Sequence, residues 1–171
     1  MTLAGAGRPS AGAPAPAAEI REAPVGARIP WPQWSVDTTY FWRGGADGVL
    51  RILRCASCAR FAHPPTPSCR ACGHEGLGPA PVSGRATVFS YTVNRQRFIP
   101  WLEVPYVLAI VALAEQDDVH LTTRLVDVEP EDVWIGMEVG VVFEHHGRDD
   151  GAGGADDVYL PLFSPRAVRH G

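Results

Sequence analysis

Four cysteines occur in the 171 residues, and all of them lie in Cys55-Ala-Ser-Cys58 and Cys69-Arg-Ala-Cys72. Two Cys-x-x-Cys pairs supply four soft thiolates, and a two-residue gap lets both sulfurs of a pair reach one ion. A tetrahedron of four thiolates is a common closed structural zinc site. With sulfur at every coordination position there is no place for the water that hydrolytic zinc chemistry needs. Such an ion contributes roughly 10–16 kcal/mol of apparent binding free energy, enough to fold a module too small to build its own core. Iron in the same ligand set would instead make a rubredoxin-like electron carrier, and a metal-free, redox-active thiol pair is a further reading of the same residues.

Little else in the chain has the spacing of catalytic machinery. No Gly-x-Ser-x-Gly elbow, phosphate-binding glycine loop or His-Glu-x-x-His helix occurs. His63 and His74 flank the cysteines but are not needed as ligands, and His145-His146 fall at the end of a strand, where they are expected to be exposed and idle. Asn94-Arg95-Gln-Arg97-Phe98-Ile-Pro-Trp101 is the remaining cluster with binding chemistry. Arg95 and Arg97 could pair with phosphates while Phe98 and Trp101 stack on a base. The alternative is a loop whose Trp101 packs over the end of a barrel. All fifteen cationic side chains are arginine, and the formal charge is −4. Four thiolates around one Zn2+ add −2, for a folded charge of about −6. A net negative chain is poorly suited to tight, salt-sensitive nucleic-acid binding.

The elements that must position these groups follow from composition and period. Residues 1–28, rich in Ala, Gly and Pro, read as a disordered leader. Residues 29–80 read as an aromatic helix plus the cysteine module. Pro30 and Pro32 delay the helix, Asp37 or Thr38 can cap it, and Tyr40, Phe41 and Trp42 ride on it. Three consecutive aromatics form either a wedge between modules or an exposed patch for a partner. Val49–Leu53 reads as a strand entering the first knuckle, and residues 76–81 as the loop bounding the module. Residues 81–166 contain five strand-like segments: Arg85–Val93, Tyr106–Leu113, Val119–Val126, Met137–Glu144 and Val158–Phe163. A short helix is expected across Glu129–Gly136, starting at Pro130. Five strands with a helix between the third and fourth is the chain order of an OB-fold barrel. The fold class is therefore mainly β: an N-terminal helical segment, a rubredoxin-like zinc ribbon and a five-stranded OB-fold barrel. The Gly/Asp-rich stretch 148–157 reads as a mobile excursion. No apolar run is long enough for a transmembrane helix and no signal peptide is recognisable, so no membrane role and a cytoplasmic setting are expected.

Tyr40-Phe41-Trp42, the paired knuckles with Pro64-Pro65 between them, Ser83-Gly84-Arg85-Ala-Thr87-Val88, Pro105-Tyr106-Val107 and Ile135-Gly136-Met137 follow one another in a specific order. In that order and spacing the chain resembles the zinc-ribbon plus OB-fold family first catalogued as domain of unknown function 35. The resemblance implies a non-catalytic, acyl-CoA-associated subunit that assembles with a thiolase-fold enzyme, as a heterotetramer. In one branch the partner is a lipid-transfer-protein-like retro-aldolase that shortens steroid side chains, and an enoyl-CoA hydratase is associated with it. Only Cys55, Cys58, Cys69 and Cys72 carry over, as ligands of a structural Zn2+; no catalytic residue does. Acyl-CoA would be bound jointly with the partner, and Tyr40, Phe41, Trp42, Arg95, Arg97, Phe98 and Trp101 are the candidates for partner or CoA contact. The readings from other functional classes are a single-stranded nucleic-acid-binding module and the rubredoxin-like electron carrier.

Overall fold

The computed structural model describes residues 17–32, 36–147 and 157–166. Its elements in chain order are β1 (Ile20–Glu22), α1 (Val36–Arg43), β2 (Arg51–Cys55), β3 (Phe61–Ala62), β4 (Leu77–Pro81), β5 (Arg85–Asn94), β6 (Tyr106–Leu113), β7 (His120–Leu125), β8 (Glu138–His146) and β9 (Val158–Pro165).

Strict alternation builds the barrel. In β6, Val107, Ala109, Val111 and Leu113 are buried while Leu108 and Ile110 face out, and β7 buries Leu121, Thr123 and Leu125. Side chains two apart share a face, so these sets fill one interior. The strands run in the order β8-β5-β6-β7-β9, and β8 also pairs with β9 from Val139↔Pro165 to His146↔Val158, closing a five-stranded barrel. β7 and β9 are parallel and the other barrel pairs antiparallel. The register slips between Val88 and Ser90, a bulge that lets β5 bend from one side of the barrel to the other.

The cysteine module is a three-stranded sheet, β3-β2-β4. Its base belongs to the barrel's own core: Leu50, Ile52 and Val82 cluster with Val111, Val139, Phe143 and Phe163. α1 lies against β2 and β9. Phe41 meets Trp42 edge-on at 5.0 Å, stacks on His63 at 5.3 Å and packs against the common core. In this arrangement the aromatic helix is a wedge between modules.

Three expectations are corrected. The leader expected to be disordered includes β1, which pairs in parallel with β8 as Ile20↔Phe143 to Glu22↔His145. Alternation cannot reveal a three-residue strand whose hydrogen-bonding partner lies 143 − 20 = 123 residues away; residues 1–16 are outside the described residues. The segment 76–81, expected as a loop, holds β4 at Leu77–Pro81. Pro79 and Pro81 are tolerated because β4 is an edge strand, where a missing N–H need not face a ladder partner. The helix expected at Glu129–Gly136 is a single 3-10 turn, Pro130–Asp132. It ends because Val133 is extended (ψ 134°) and Gly136 has φ +91°. Of the excursion 148–157, only Asp157 is described.

A turn of 3-10 helix, Gly44–Asp47, follows α1 and brings the backbone of buried Gly45 directly onto the barrel. A Cβ there would lie 2.4 Å from Phe143 Cδ1 and 2.7 Å from Tyr159 Cβ. Phe143 is fully buried and cannot retreat. Gly45→Ala is expected to destabilise the protein by about 1–3 kcal/mol, the usual cost of overpacking. An unchanged urea-unfolding midpoint would rule out this packing.

Candidate metal centre

β2 ends in Cys55, and the next four residues turn back as the first knuckle. The amide of Ala59 donates to the carbonyl of Cys55 (3.0 Å) and the amide of Cys55 to the carbonyl of Arg60 (2.9 Å). The second knuckle repeats this: Gly73 N–H donates to Cys69 O (2.8 Å) and Cys69 N–H to His74 O (2.8 Å). In each, the fourth residue after the first cysteine is left-handed, Ala59 at φ 62° and Gly73 at φ 74°. Only Gly73 is the residue type that adopts this conformation freely.

The repeat turns amide N–H groups toward sulfur. The amides of Cys58 and Ser57 reach the sulfur of Cys55, and those of Ala71 and Cys72 the sulfur of Cys69. Donors aimed at a sulfur favour its thiolate. They hold the Cys55 thiol below its ordinary range and bring Cys69 down to about 6. At Cys58 the Arg60 amide acts to lower the thiol, but the neighbouring Cys69 sulfur and burial outweigh it and push Cys58 up to about 11. The Cys58 and Cys69 sulfurs lie 3.5 Å apart, so each acts on the other's thiol.

The geometry fits a tetrahedral ion. Cys55 and Cys72 sulfurs are 3.7 Å apart, Cys58 and Cys69 3.5 Å, and all four lie within 4.8 Å of one another. Four sulfurs at about 2.3 Å from one zinc would be about 3.8 Å apart. Cys55 and Cys69 are buried while Cys58 and Cys72 are exposed, so the site opens on one side to solvent. Neither His63 nor His74 joins this group among the described residues. Burial lowers the pKa of His63, which packs on Phe41 instead.

The knuckles are also fastened to the barrel. The Gln116 side chain, in the β6–β7 turn, accepts from Phe61 N–H (2.9 Å) and donates to Phe61 O (3.1 Å). A single amide thereby acts as the missing ladder neighbour of edge strand β3. Asp118 continues the contact, accepting from Gln116 (2.6 Å) and from Arg60 (2.5 Å).

The other candidates are dispersed. Arg95 reaches Glu131 at 3.4 Å, Arg97 is exposed, and Phe98 points outward with 68% of its surface exposed. Trp101 turns the opposite way and donates from Nε1 to the carbonyl of Arg28 (2.8 Å). It lies edge-on to His146 at 6.3 Å. The four therefore do not converge on one stacking and phosphate-binding site. The paired histidines are neither exposed nor idle. His146 is buried and bonds Glu144 (2.9 Å), whose second oxygen accepts from Arg124 (2.8 Å). Burial works to raise the Glu144 pKa, but His146 and Arg124 outweigh it and hold the carboxyl below its ordinary range. His145 lies between Glu22 and Asp157. The sequence shows both histidines, but the partners of His145 come from β1 and from just before β9, and the Glu144 that His146 bonds is held by Arg124 of β7, so the closed sheet assembles both groups.

Comparison with known proteins gives one consistent result. Residues 42–78 match the model of the ChsH2 rubredoxin-like zinc ribbon domain, and residues 80–144 that of the ChsH2 C-terminal OB-fold domain. A probable enoyl-CoA hydratase alpha subunit of Thermomonospora curvata is 33% identical over 80% of this chain, and the 3-oxo-4,17-pregnadiene-20-carboxyl-CoA hydratase alpha subunit of Mycobacterium tuberculosis 36% identical over 66%. The chain spans only 40% and 35% of the length of those two proteins. A DUF35 domain-containing scaffold protein of Methanocaldococcus jannaschii is 33% identical, over 63% of this chain and 77% of its own length. Among solved structures, a chain of the Ltp2-ChsH2(DUF35) aldolase superposes with a TM-score of 0.64 at 33% identity, covering 78% of this chain and 98% of that one.

Two substitutions probe the centre. Cys69→Ser should abolish stoichiometric zinc and unfold the knuckles while the barrel remains; elemental analysis together with amide exchange reads both. Ala59→Gly should stabilise the zinc-loaded protein by about 1 kcal/mol by removing the left-handed strain; a lower denaturation midpoint would refute that reading of the first knuckle.

Proposed function

Because the chain belongs to the DUF35 family of zinc-ribbon and OB-fold proteins, we propose that it is a non-catalytic subunit that assembles with a thiolase-fold enzyme acting on acyl-CoA. The observation that carries this reading is the match, over nearly the whole of the solved chain, to a subunit of an aldolase complex. Within it, the partner is a lipid-transfer-protein-like retro-aldolase acting on a β-hydroxyacyl-CoA of a steroid or related side chain. The hydratase name of the Mycobacterium tuberculosis relative supports that substrate class. An enoyl-CoA hydratase is the second proposed associate.

Each part of the chain has a share in this. Zn2+ held by Cys55, Cys58, Cys69 and Cys72 folds the knuckles, and Gln116 fixes them to the barrel. Phe89, Leu108 and Ile110, exposed on the outer face of β5 and β6, present apolar surface of the kind partner subunits cover. Tyr40, Phe41 and Trp42 wedge the helix in place, and Arg95, Arg97 and Phe98 remain candidates for contact with the partner or with CoA. That outer face suits protein better than a phosphate backbone. Its Arg124 is already paired with Glu144, and the phosphates of a nucleic acid would find few cations there.

Co-expression with a thiolase-fold protein from the same genome tests the proposal. The two chains should co-purify as a stable heteromer, retro-aldol activity should require both, and the isolated chain should turn over no acyl-CoA. A chain that stays alone in the presence of that partner, or that cleaves acyl-CoA unaided, would refute it; tight, steeply salt-dependent oligonucleotide binding would favour the nucleic-acid reading.

A further inference from the structure

The segment 17–28 crosses one end of the barrel, and a short strand alone does not account for its placement. β1 has three residues, at the lower limit of strand length, and lies on the sheet edge. Besides the three-residue β1–β8 ladder, backbone contacts hold it through Ala18 N–H to Gly48 O, Phe143 N–H to Glu19 O and Ala23 N–H to His145 O, at 2.8, 2.8 and 2.9 Å. Farther along, Arg28 O accepts from Trp101 Nε1. Pro24 forms one wall of a cavity of about 430 Å3, lined also by Trp101, Tyr106, Arg124, Val126 and Val128. Val107 and Leu125, from the barrel core, form its floor. The segment therefore lies across the barrel mouth.

Two side-chain contacts tie this segment to the barrel: Arg21 pairs with Asp127 at 2.8 Å, and Glu22 meets His145. The histidine Nδ1 is 3.0 Å from both oxygens of Glu22, on β1. Its Nε2 is 3.1 Å from Asp157 Oδ2, just before β9, too far off the N–H direction for a hydrogen bond but close enough for an ion pair. The ring stacks on Tyr159 at 4.7 Å, so it cannot turn away from either carboxylate. Arg43, from α1, acts on Tyr159, while Arg21 is engaged by Glu19 and Asp127 and is not available to replace the imidazolium.

We propose that residues 17–28 are a pH-sensitive strap over the barrel mouth, clamped when His145 is an imidazolium between Glu22 and Asp157 and released when it is neutral. The neutral ring can keep one hydrogen bond but leaves two carboxylates facing each other across it with no cation between. Burial by itself lowers the His145 pKa, but Glu22 and Asp157 outweigh it and set the folded value above the ordinary 6.5. The clamp therefore holds in full below the ordinary histidine range and is lost as pH rises through the higher, folded value. The Arg21–Asp127 pair and the β1–β8 ladder persist when His145 is neutral, so release is a local loosening of the strap and not its departure from the barrel.

Amide exchange on the zinc-loaded full chain between about pH 5.5 and 8.5, a window spanning the histidine range and corrected for intrinsic rates, tests this directly. Protection of Ala23, of Phe143 and of the Trp101 indole N–H should fall progressively as pH rises, while Val88, bonded to Met137 O within the barrel, should stay constant. His145→Gln should show low protection at all pH values. Should that variant fail to fold, Glu22→Gln, whose side chain is 82% exposed, serves in its place and should lower the His145 titration midpoint measured by NMR. A flat protection profile in the wild type, an unchanged slope in His145→Gln, or an unmoved midpoint in Glu22→Gln would each overturn the proposal.

Discussion

The distal half of the cysteine module has almost nothing apolar to hold it. Past Leu53, its buried apolar side chains among the described residues are those of Cys55 and Cys69. Closure of four thiolates on one divalent ion is therefore the constraint on which that half depends: it converts crowded, mutually repelling sulfurs into a tetrahedral knot, and the amides of both knuckles already point inward to meet the charge. Without that closure, β3, the turn that Gln116 grips and the seat of His63 under Phe41 would have no fixed geometry. The proximal half is different. Leu50, Ile52 and Val82 are part of the barrel core, so the module is rooted in a hydrophobic interior and tied by metal only at its tip.

The resulting body is stiff where modules meet. α1 inserts Phe41 between ribbon and barrel, the Gln116 amide completes the edge of β3, and a buried Arg124–Glu144–His146 chain fixes the outer face of β7 and β8 beneath Trp101. The Glu144 carboxylate is buried yet ionised because both of its oxygens are engaged. These three couplings fix the relation of ribbon, helix and barrel from inside, as the proposed role of a supporting subunit requires. The outer face of β5 and β6 carries the exposed apolar side chains Phe89, Leu108 and Ile110.

Much of this was legible in the chain because it is local. Two Cys-x-x-Cys pairs define a donor set regardless of context, since sulfurs three residues apart on a turn have nowhere else to converge. The alternation of Val107, Ala109, Val111 and Leu113 against Leu108 and Ile110 defines a strand with an inside and an outside, and five such segments in order imply a barrel. The order of the aromatic triplet, the knuckles and the Ser83-Gly84-Arg85 and Pro105-Tyr106-Val107 strand starts was sufficient to suggest the family.

Everything that depended on a partner distant in sequence was decided only by the fold. Ile20–Glu22 looks like linker because a parallel partner at Phe143–His145 leaves no local signature. Residues 77–81 look like loop because their prolines are acceptable only on an edge, and being an edge is a property of the sheet. The Arg95-to-Trp101 cluster looks like one binding site, but Trp101 is drawn down to Arg28 while Phe98 is left outside. His145 looks idle because its carboxylates come from β1 and from just before β9, and His146 because the Glu144 it bonds is held by Arg124 of β7. The sequence by itself determined the metal's ligands and the barrel's interior, because spacing and alternation act over a few residues. The tertiary structure decided what each polar side chain faces, because that depends on which strands the closure of the barrel places side by side.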